Sequence, residues 1–177
     1  MKLYSMNPVV DGEPAVLILG SMPGAKSLEA QMYYANPRNH FWPIVESYFD
    51  QDFRHLTDSE KLQFAATHRL ALWDVLAECE REGSLDSAIR HETYNPIHQL
   101  IDDYPSIIKI GCNGTKAYNS LNHYQKTNGT FSIPVEKLPS TSPVPGKNVL
   151  SYKEKEHVWH AFLQEAFSQK LTRSDRI

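Results

Sequence analysis

The stretch YYANPRNHFW, residues 33–42, sets four aromatic rings and two asparagine amides into a segment with neither a helical nor a strand period. Aromatic faces stack, and a carboxamide both donates and accepts hydrogen bonds. Two later clusters are also polar. NGTKAY (113–118) carries Asn113, and STSPVPGKN (140–148) carries Ser140, Thr141 and Ser142 side by side, with Lys147 close behind. Each cluster also has a plain structural reading. Gly20, Pro23 and Gly24 suit a turn, Asn113 with Gly114 suits a helix cap, and the three hydroxyls suit caps and turns. Phe41 and Trp42 read as core aromatics.

Several chemistries are excluded by what is missing. No GxSxG elbow occurs, because Leu19 precedes Gly20 and Met22 is followed by Pro23 and Gly24. There is no GxxxxGK[ST] phosphate loop and no HExxH, and GSMPG does not match GxGxxG. Serine hydrolysis, nucleoside triphosphates and dinucleotides are therefore unsupported. His157 and His160 stand three apart on a predicted helix without a third ligand nearby, so they are assigned to a helix surface or core rather than to a metal. Cys79 and Cys112 lack CxxC spacing and read as reduced core residues. No cofactor is expected.

The elements that must position these clusters follow from the pattern of apolar residues. With 177 residues, 41% hydrophobic and 22% charged, the chain suits one folded domain, expected over 1–171 with a frayed tail at 172–177. AVLILG (15–20) is a continuous apolar run ending in glycine, the pattern of a strand buried on both faces. LALWDVL (70–76), SIIKIGC (106–112) and PVEKLPS (134–140) read as three more strands. Between them the sequence predicts helices at HFWPIVESYF, near Asp58 behind a Thr57/Glu60 capping box, at SLDSAIRH (84–91), at PIHQLIDDY and at GTKAYNSLNHY, with KEKEHVWHAFLQEAF closing the chain. Alternating strands and helices predict an α/β fold of three layers, a four-stranded, mostly parallel sheet with helices on both faces. The clusters then all emerge at the carboxyl edge of the sheet, where open α/β sheets bind ligands.

A net charge of -3 does not advertise a nucleic-acid binder, yet it leaves room for a local basic rim. The start MKLYSMNPVV has neither the basic opening nor the apolar run of a signal peptide, and no apolar stretch approaches the ~20 residues that span a bilayer. A cytoplasmic location without membrane attachment is expected.

Four motifs in order, LILGSMPGAKSLEAQMYYANPRNHFWPI, LALWDVLAECEREGSLDSAI, IGCNGTKAY and LPSTSP, resemble the hypoxanthine-DNA glycosylases of the uracil-DNA glycosylase superfamily. The resemblance runs from about MNPVV to VWHAFL, nearly the whole chain. The first motif also suits mismatch-specific uracil-DNA glycosylases, whereas the second favours the deoxyinosine branch. The resemblance implies a monofunctional, monomeric enzyme that flips a deaminated base, hypoxanthine in the first place, out of double-stranded DNA and hydrolyses its N-glycosidic bond. In a prokaryote it would be associated with the nucleoid.

It also implies roles for residues. Tyr34 stacks on the flipped base, Asn113 reads its edge, and the backbone amides around Ser21 and Met22 donate to it. Asn39 positions the attacking water or the leaving group. Ser140, Thr141 and Ser142 bond phosphate oxygens, Val144 wedges into the base stack and Lys147 adds local charge. Two features depart from the superfamily pattern: the last motif runs SPVP where the family has SPA with an asparagine nearby, and the first motif lacks an acid. The acidic residue that the most active uracil enzymes carry in the first motif is absent, with Met22 in its vicinity, so positioning and electrostatics must carry more of the rate. The alternatives are a mismatch-specific uracil glycosylase and a catalytically silent module that binds damaged DNA.

Overall fold

The computed structural model describes residues 1–174, with side chains to residue 169. Its centre is a four-stranded parallel sheet of β2 (Val16–Gly20), β3 (Leu70–Asp74), β6 (Lys109–Asn113) and β7 (Val135–Leu138), in the order β3-β2-β6-β7. All five residues of β2 and of β3 are buried, as continuous apolar runs in a covered parallel sheet require. The register pairs Leu19 with Trp73 on one side and with Cys112 on the other.

Six helices surround the sheet: α1 (Ala25–Ala30), α2 (Phe41–Phe49), α3 (Asp58–Thr67), α4 (Ile97–Asp103), α5 (Thr115–Asn128) and α6 (Tyr152–Ser174). From β2 the chain crosses to β3 on one edge, and from β6 it crosses to β7 on the other. Right-handed crossovers running in opposite directions put their helices on opposite faces, which gives the expected three layers. Helix α3 starts as its sequence predicts. Thr57 Oγ1 accepts from the Glu60 amide and the Glu60 carboxylate accepts from the Thr57 amide, completing the capping box. Helix α2 tolerates Pro43 because it lies in the first turn.

Four expectations need correction. SLDSAIRH is not a helix: it holds only a 3₁₀ turn at Asp86–Ala88 and then enters β5 (Arg90–Tyr94). LALWDVL ends at Asp74, and the chain turns into β4 (Leu76–Glu80). With β1 (Lys2–Tyr4), these form a second, antiparallel sheet in the order β1-β4-β5. Residues 21–40, after AVLILG, read as loop in the sequence, whereas the structure places the short helix α1 among them. Finally, α6 continues to Ser174, past the predicted end of the closing helix at Phe167, and 175–177 of the expected frayed tail lie outside the described residues.

The core runs from β2 and β3 into α2 and α6, where Phe41, Trp159, Phe162 and Leu163 are buried. Gly111 lets α6 approach the sheet. A Cβ there would stand 2.7 Å from Phe162, 2.8 Å from Leu138 and 3.0 Å from Ile18. Gly111→Ala should overpack this contact and cost about 1–3 kcal/mol, read as a lower Tm in a thermal melt at roughly 3 °C per kcal/mol.

Candidate functional site

Strands β2 and β6 are neighbours from which the chain leaves toward opposite edges, so the loops behind them part and open a crevice between them. The crevice is a cavity of about 580 Å³ whose wall includes Ser21, Met22, Tyr34, Asn39, Asp74 and Asn113. The residues that the sequence places behind β2 and β6 are thus brought together, and Ser140, Ser142 and Val144 join them from the loop behind β7.

Thr141 holds that arrangement. Its amide donates to Asn113 Oδ1 at 3.0 Å, its Oγ1 accepts from Asn113 Nδ2 at 2.9 Å, and its carbonyl accepts from the His40 amide at 2.9 Å. One residue therefore binds all three loops. Thr141 is only 1% exposed, so the expected phosphate contact through its hydroxyl is corrected to an internal tie. Asn113 does not cap α5; Gly114 takes that place with φ 94°, where a side chain would be strained and a Cβ would stand 3.1 Å from Ser140.

The rest of the third loop lies at the surface. Ser140 Oγ accepts from the Ser142 amide and Ser142 Oγ from the Val144 amide, which leaves both hydroxyl hydrogens able to donate. Val144 is 47% exposed, and Lys147 is exposed as well.

Tyr34 adopts φ 55°, an uncommon left-handed backbone for an aromatic residue. Its ring lies against Phe41 with centroids 4.2 Å apart. Burial, with Asp74 second, pushes its pKa up against a lowering by the nearby Asn113 amide, which does not reach it in hydrogen-bond geometry, so the hydroxyl makes no well-formed hydrogen bond among the described residues. Phe41 and Trp42 are core residues as expected, and Trp42 Nε1 donates to the Tyr33 carbonyl. Asn39 is partly committed. Its Oδ1 accepts from the Phe41 amide at 2.9 Å and shapes the entry into α2.

Four further polar residues escaped the sequence reading. Asp74, at the carboxyl end of β3, is 4% exposed, and its Oδ2 has no hydrogen-bond partner among the described residues. Burial and then the neighbouring Asp86 raise its pKa to about 7, against a lowering by Arg81. Asp86 accepts from Ser21 Oγ at 2.7 Å. Buried Arg81 donates through Nε to the Gly83 carbonyl and through Nη2 to the Pro23 carbonyl, and so pins the loop behind β2. Lys155, 3% exposed on α6, reaches His40 Nδ1 and the Ser142 carbonyl, each at 3.4 Å, and burial lowers its pKa. A charged residue ending an apolar strand was a readable signal for Asp74; Lys155 had none. Among the described residues, no three His, Cys, Asp or Glu side chains stand together to hold a metal ion, and no helix is long and apolar enough to cross a membrane.

Comparison with known proteins decides the family. The chain is 34% identical to the hypoxanthine DNA glycosylase of Methanosarcina acetivorans over 153 residues, 86% of this chain and 92% of the relative. It belongs to the hypoxanthine DNA glycosylase family. The hypoxanthine DNA glycosylase of Methanosarcina barkeri is 30% identical over 159 residues, 90% of this chain and 96% of that one. The solution NMR structure of a candidate uracil DNA glycosylase from M. acetivorans superposes with a TM-score of 0.77 at 32% identity, covering 94% of this chain and 99% of that one. No family model matches the chain.

In this glycosylase Asp74 burdens the fold. An ordinary aspartate titrates near 4, so between that pH and about 7 the folded chain holds a proton that the unfolded chain has lost. The stability linked to the neutral carboxyl is complete below about pH 4 and is lost as the pH rises through about 7. Asp74→Asn cannot ionise and should raise Tm more at pH 8 than at pH 5 in paired thermal melts. Equal changes at both pH values would mean an ordinary carboxyl.

Proposed function

We propose that the chain excises hypoxanthine from deoxyinosine in double-stranded DNA by hydrolysis of the N-glycosidic bond, as a monofunctional glycosylase acting as a monomer in base excision repair. The observation that carries this reading is the cavity at the β2/β6 switch point, which gathers a stacking ring, two amides and a buried carboxyl in one space. A flipped base has two faces and a polar edge, and its extrusion costs a few kcal/mol that pocket contacts must offset. Tyr34 supplies the stacking face, and the amides around Ser21 and Met22 donate to the base. Asn113 reads the edge by exchanging its bonds to Thr141 for bonds to the base. Residues 1–171 serve as a single catalytic domain, and the reaction needs no cofactor.

The surface that meets DNA is the third loop. Ser140 and Ser142 donate hydroxyl hydrogens to phosphate oxygens, Lys147 contributes charge and Val144 enters the stack in place of the flipped base. Asn39 retains its Nδ2 hydrogens for the attacking water or the leaving base while Oδ1 holds the turn. A second reading, uracil as substrate, is favoured by the likeness to the M. acetivorans structure described as a candidate uracil DNA glycosylase.

Duplexes carrying one deoxyinosine, deoxyuridine or deoxyxanthosine should therefore be incubated with the protein in chelator and then cleaved with alkali. Deoxyinosine should be nicked fastest; binding without any nick would leave a silent damage-binding module. Within the same assay, Asn39→Ala should slow single-turnover cleavage by roughly 10²-fold or more with nearly unchanged DNA affinity, the scale of losing one preorganised polar group. Asn39→Asp keeps an acceptor for the Phe41 amide and loses the Nδ2 donor. If it cleaves at the parent rate, Asn39 only shapes the loop.

A further inference from the structure

Asp74 has more to do than line a wall. Its carboxyl lies over the backbone at the end of β2: a Cβ on Gly20 would stand 2.5 Å from Oδ1 and 3.6 Å from the Tyr34 hydroxyl. The Asp74 carbonyl is held by Asn95 Nδ2 at 2.8 Å, which fixes the backbone. The side chain has no ion-pair partner among the described residues, and Oδ2 has no hydrogen bond among them. The other polar groups of the cavity are mostly committed. Asn113 spends both ends of its amide on Thr141, Asn39 Oδ1 holds the Phe41 amide, and Ser21 Oγ donates to Asp86.

We propose that Asp74 is the proton donor to the departing base, delivering the hydrogen on its carboxyl to an acceptor on the base as the glycosidic bond breaks. This assignment rests on the excision reading above. The C1′–N9 electron pair leaves with the base, the proton from Asp74 neutralises it, and the sugar cation is captured by water. That water releases one proton, which restores the carboxyl, so one water is consumed for each base freed. The neighbouring strand thus brings a carboxyl in its acid form to a site whose first motif carries none.

The groups facing Asp74 favour the neutral form this step needs. Asp86, from the 3₁₀ turn, repels a charge there, and the phenols of Tyr33 and Tyr34 lie on the loop side. Arg81, behind β4, is the single opposing cation among the groups that act on it; its Nε and Nη2 are held by backbone carbonyls, and its Nη1 makes no hydrogen bond to Asp74 or to any other described residue. The Tyr34 hydroxyl also lacks a partner, but its proton is held far more tightly, and an acid that titrates near the working pH transfers a proton best.

The test is single-turnover release of hypoxanthine by the full chain from pH 6 to pH 9, for wild type and Asp74→Asn. The wild-type rate should be level below about pH 7 and then fall about tenfold per pH unit. Asp74→Asn, folded by circular dichroism, should be about 10²-fold slower at pH 6, the usual scale for losing a general acid. Its profile should be flat, so the two rates meet within a few-fold at pH 9. Carbon-13 NMR of the wild type labelled at aspartate provides a check that needs no variant: one carboxyl should titrate near neutrality and shift when a duplex carrying uncleavable 2′-fluoro-deoxyinosine is added. A wild type with no aspartate titrating above pH 6 overturns the proposal. So does an Asp74→Asn variant that keeps the wild-type pH profile while hypoxanthine is still released, and in that case the excision reading stands. A wild type that releases no hypoxanthine at any pH overturns both.

Discussion

The site depends on one buried threonine. Three loops leave adjacent strands of a parallel sheet, and nothing in the sheet itself dictates how they sit relative to one another. Thr141 supplies that constraint with two bonds to Asn113 at the end of β6 and one to His40 at the start of α2. A buried hydrogen bond is worth about 1 kcal/mol when made and costs more when one partner is left alone. The three bonds are therefore kept or lost together, and a cavity with a defined shape follows. The same bonds restrain Asn113, so in its proposed role as edge reader it would have to give up the tie that holds the pocket.

That competition links the rigid part of the fold to the part that must respond. Strands β2 and β3 are fully buried, and Gly111 of β6 seats α6 closely against the sheet beside Ile18 and Leu138, which leaves little freedom behind the pocket. Freedom is confined to the front. Beyond Thr141, residues 142–149 form few hydrogen bonds, turns from the Ser142 amide to Ser140 Oγ and from the Val144 amide to Ser142 Oγ and a 3.4 Å bond from Lys155 to the Ser142 carbonyl, and expose Val144, Lys147 and Val149. The proposed role of this loop, meeting a duplex and inserting Val144, would draw on the weakly restrained end of the molecule. Thr141 marks the boundary between the two regimes, one residue from an exposed serine.

The sequence made the parallel sheet legible because continuous apolar runs between helical patterns have few other solutions. Its carboxyl edge was legible for the same reason, and with it the convergence of Tyr34, Asn39, Asn113 and the serines. The small antiparallel sheet was not. Strand β5, RHETY, has no fully buried residue and no apolar alternation, and β1 has three residues, so neither leaves a period to detect. The burial of Thr141 was equally hidden, since three adjacent hydroxyls look alike until a partner across 28 residues selects the middle one. Arg81 and Asp86 stood inside a recognised motif, but the contact of Asp86 with the first loop comes from a 3₁₀ turn leading into a strand, where the pattern after Gly83 reads as a helix.

Asp74 shows why such residues resist prediction from local rules. Those rules end an apolar strand with a turn and put carboxylates in water, because burying an unpaired charge is costly. Here the strand delivers a carboxyl into the protein beside a second acidic residue, while the nearby arginine is engaged with backbone carbonyls. Stability alone would replace such a group with an amide or a leucine. A residue that conflicts with the local rules in an otherwise consistent core, and that faces a cavity, is where a functional demand has displaced a structural one. The strain at Tyr34, whose left-handed backbone aims its ring across the same cavity, has the same character. Both departures stand at the switch point between β2 and β6, and the rest of the fold supplies the rigidity that makes them tolerable.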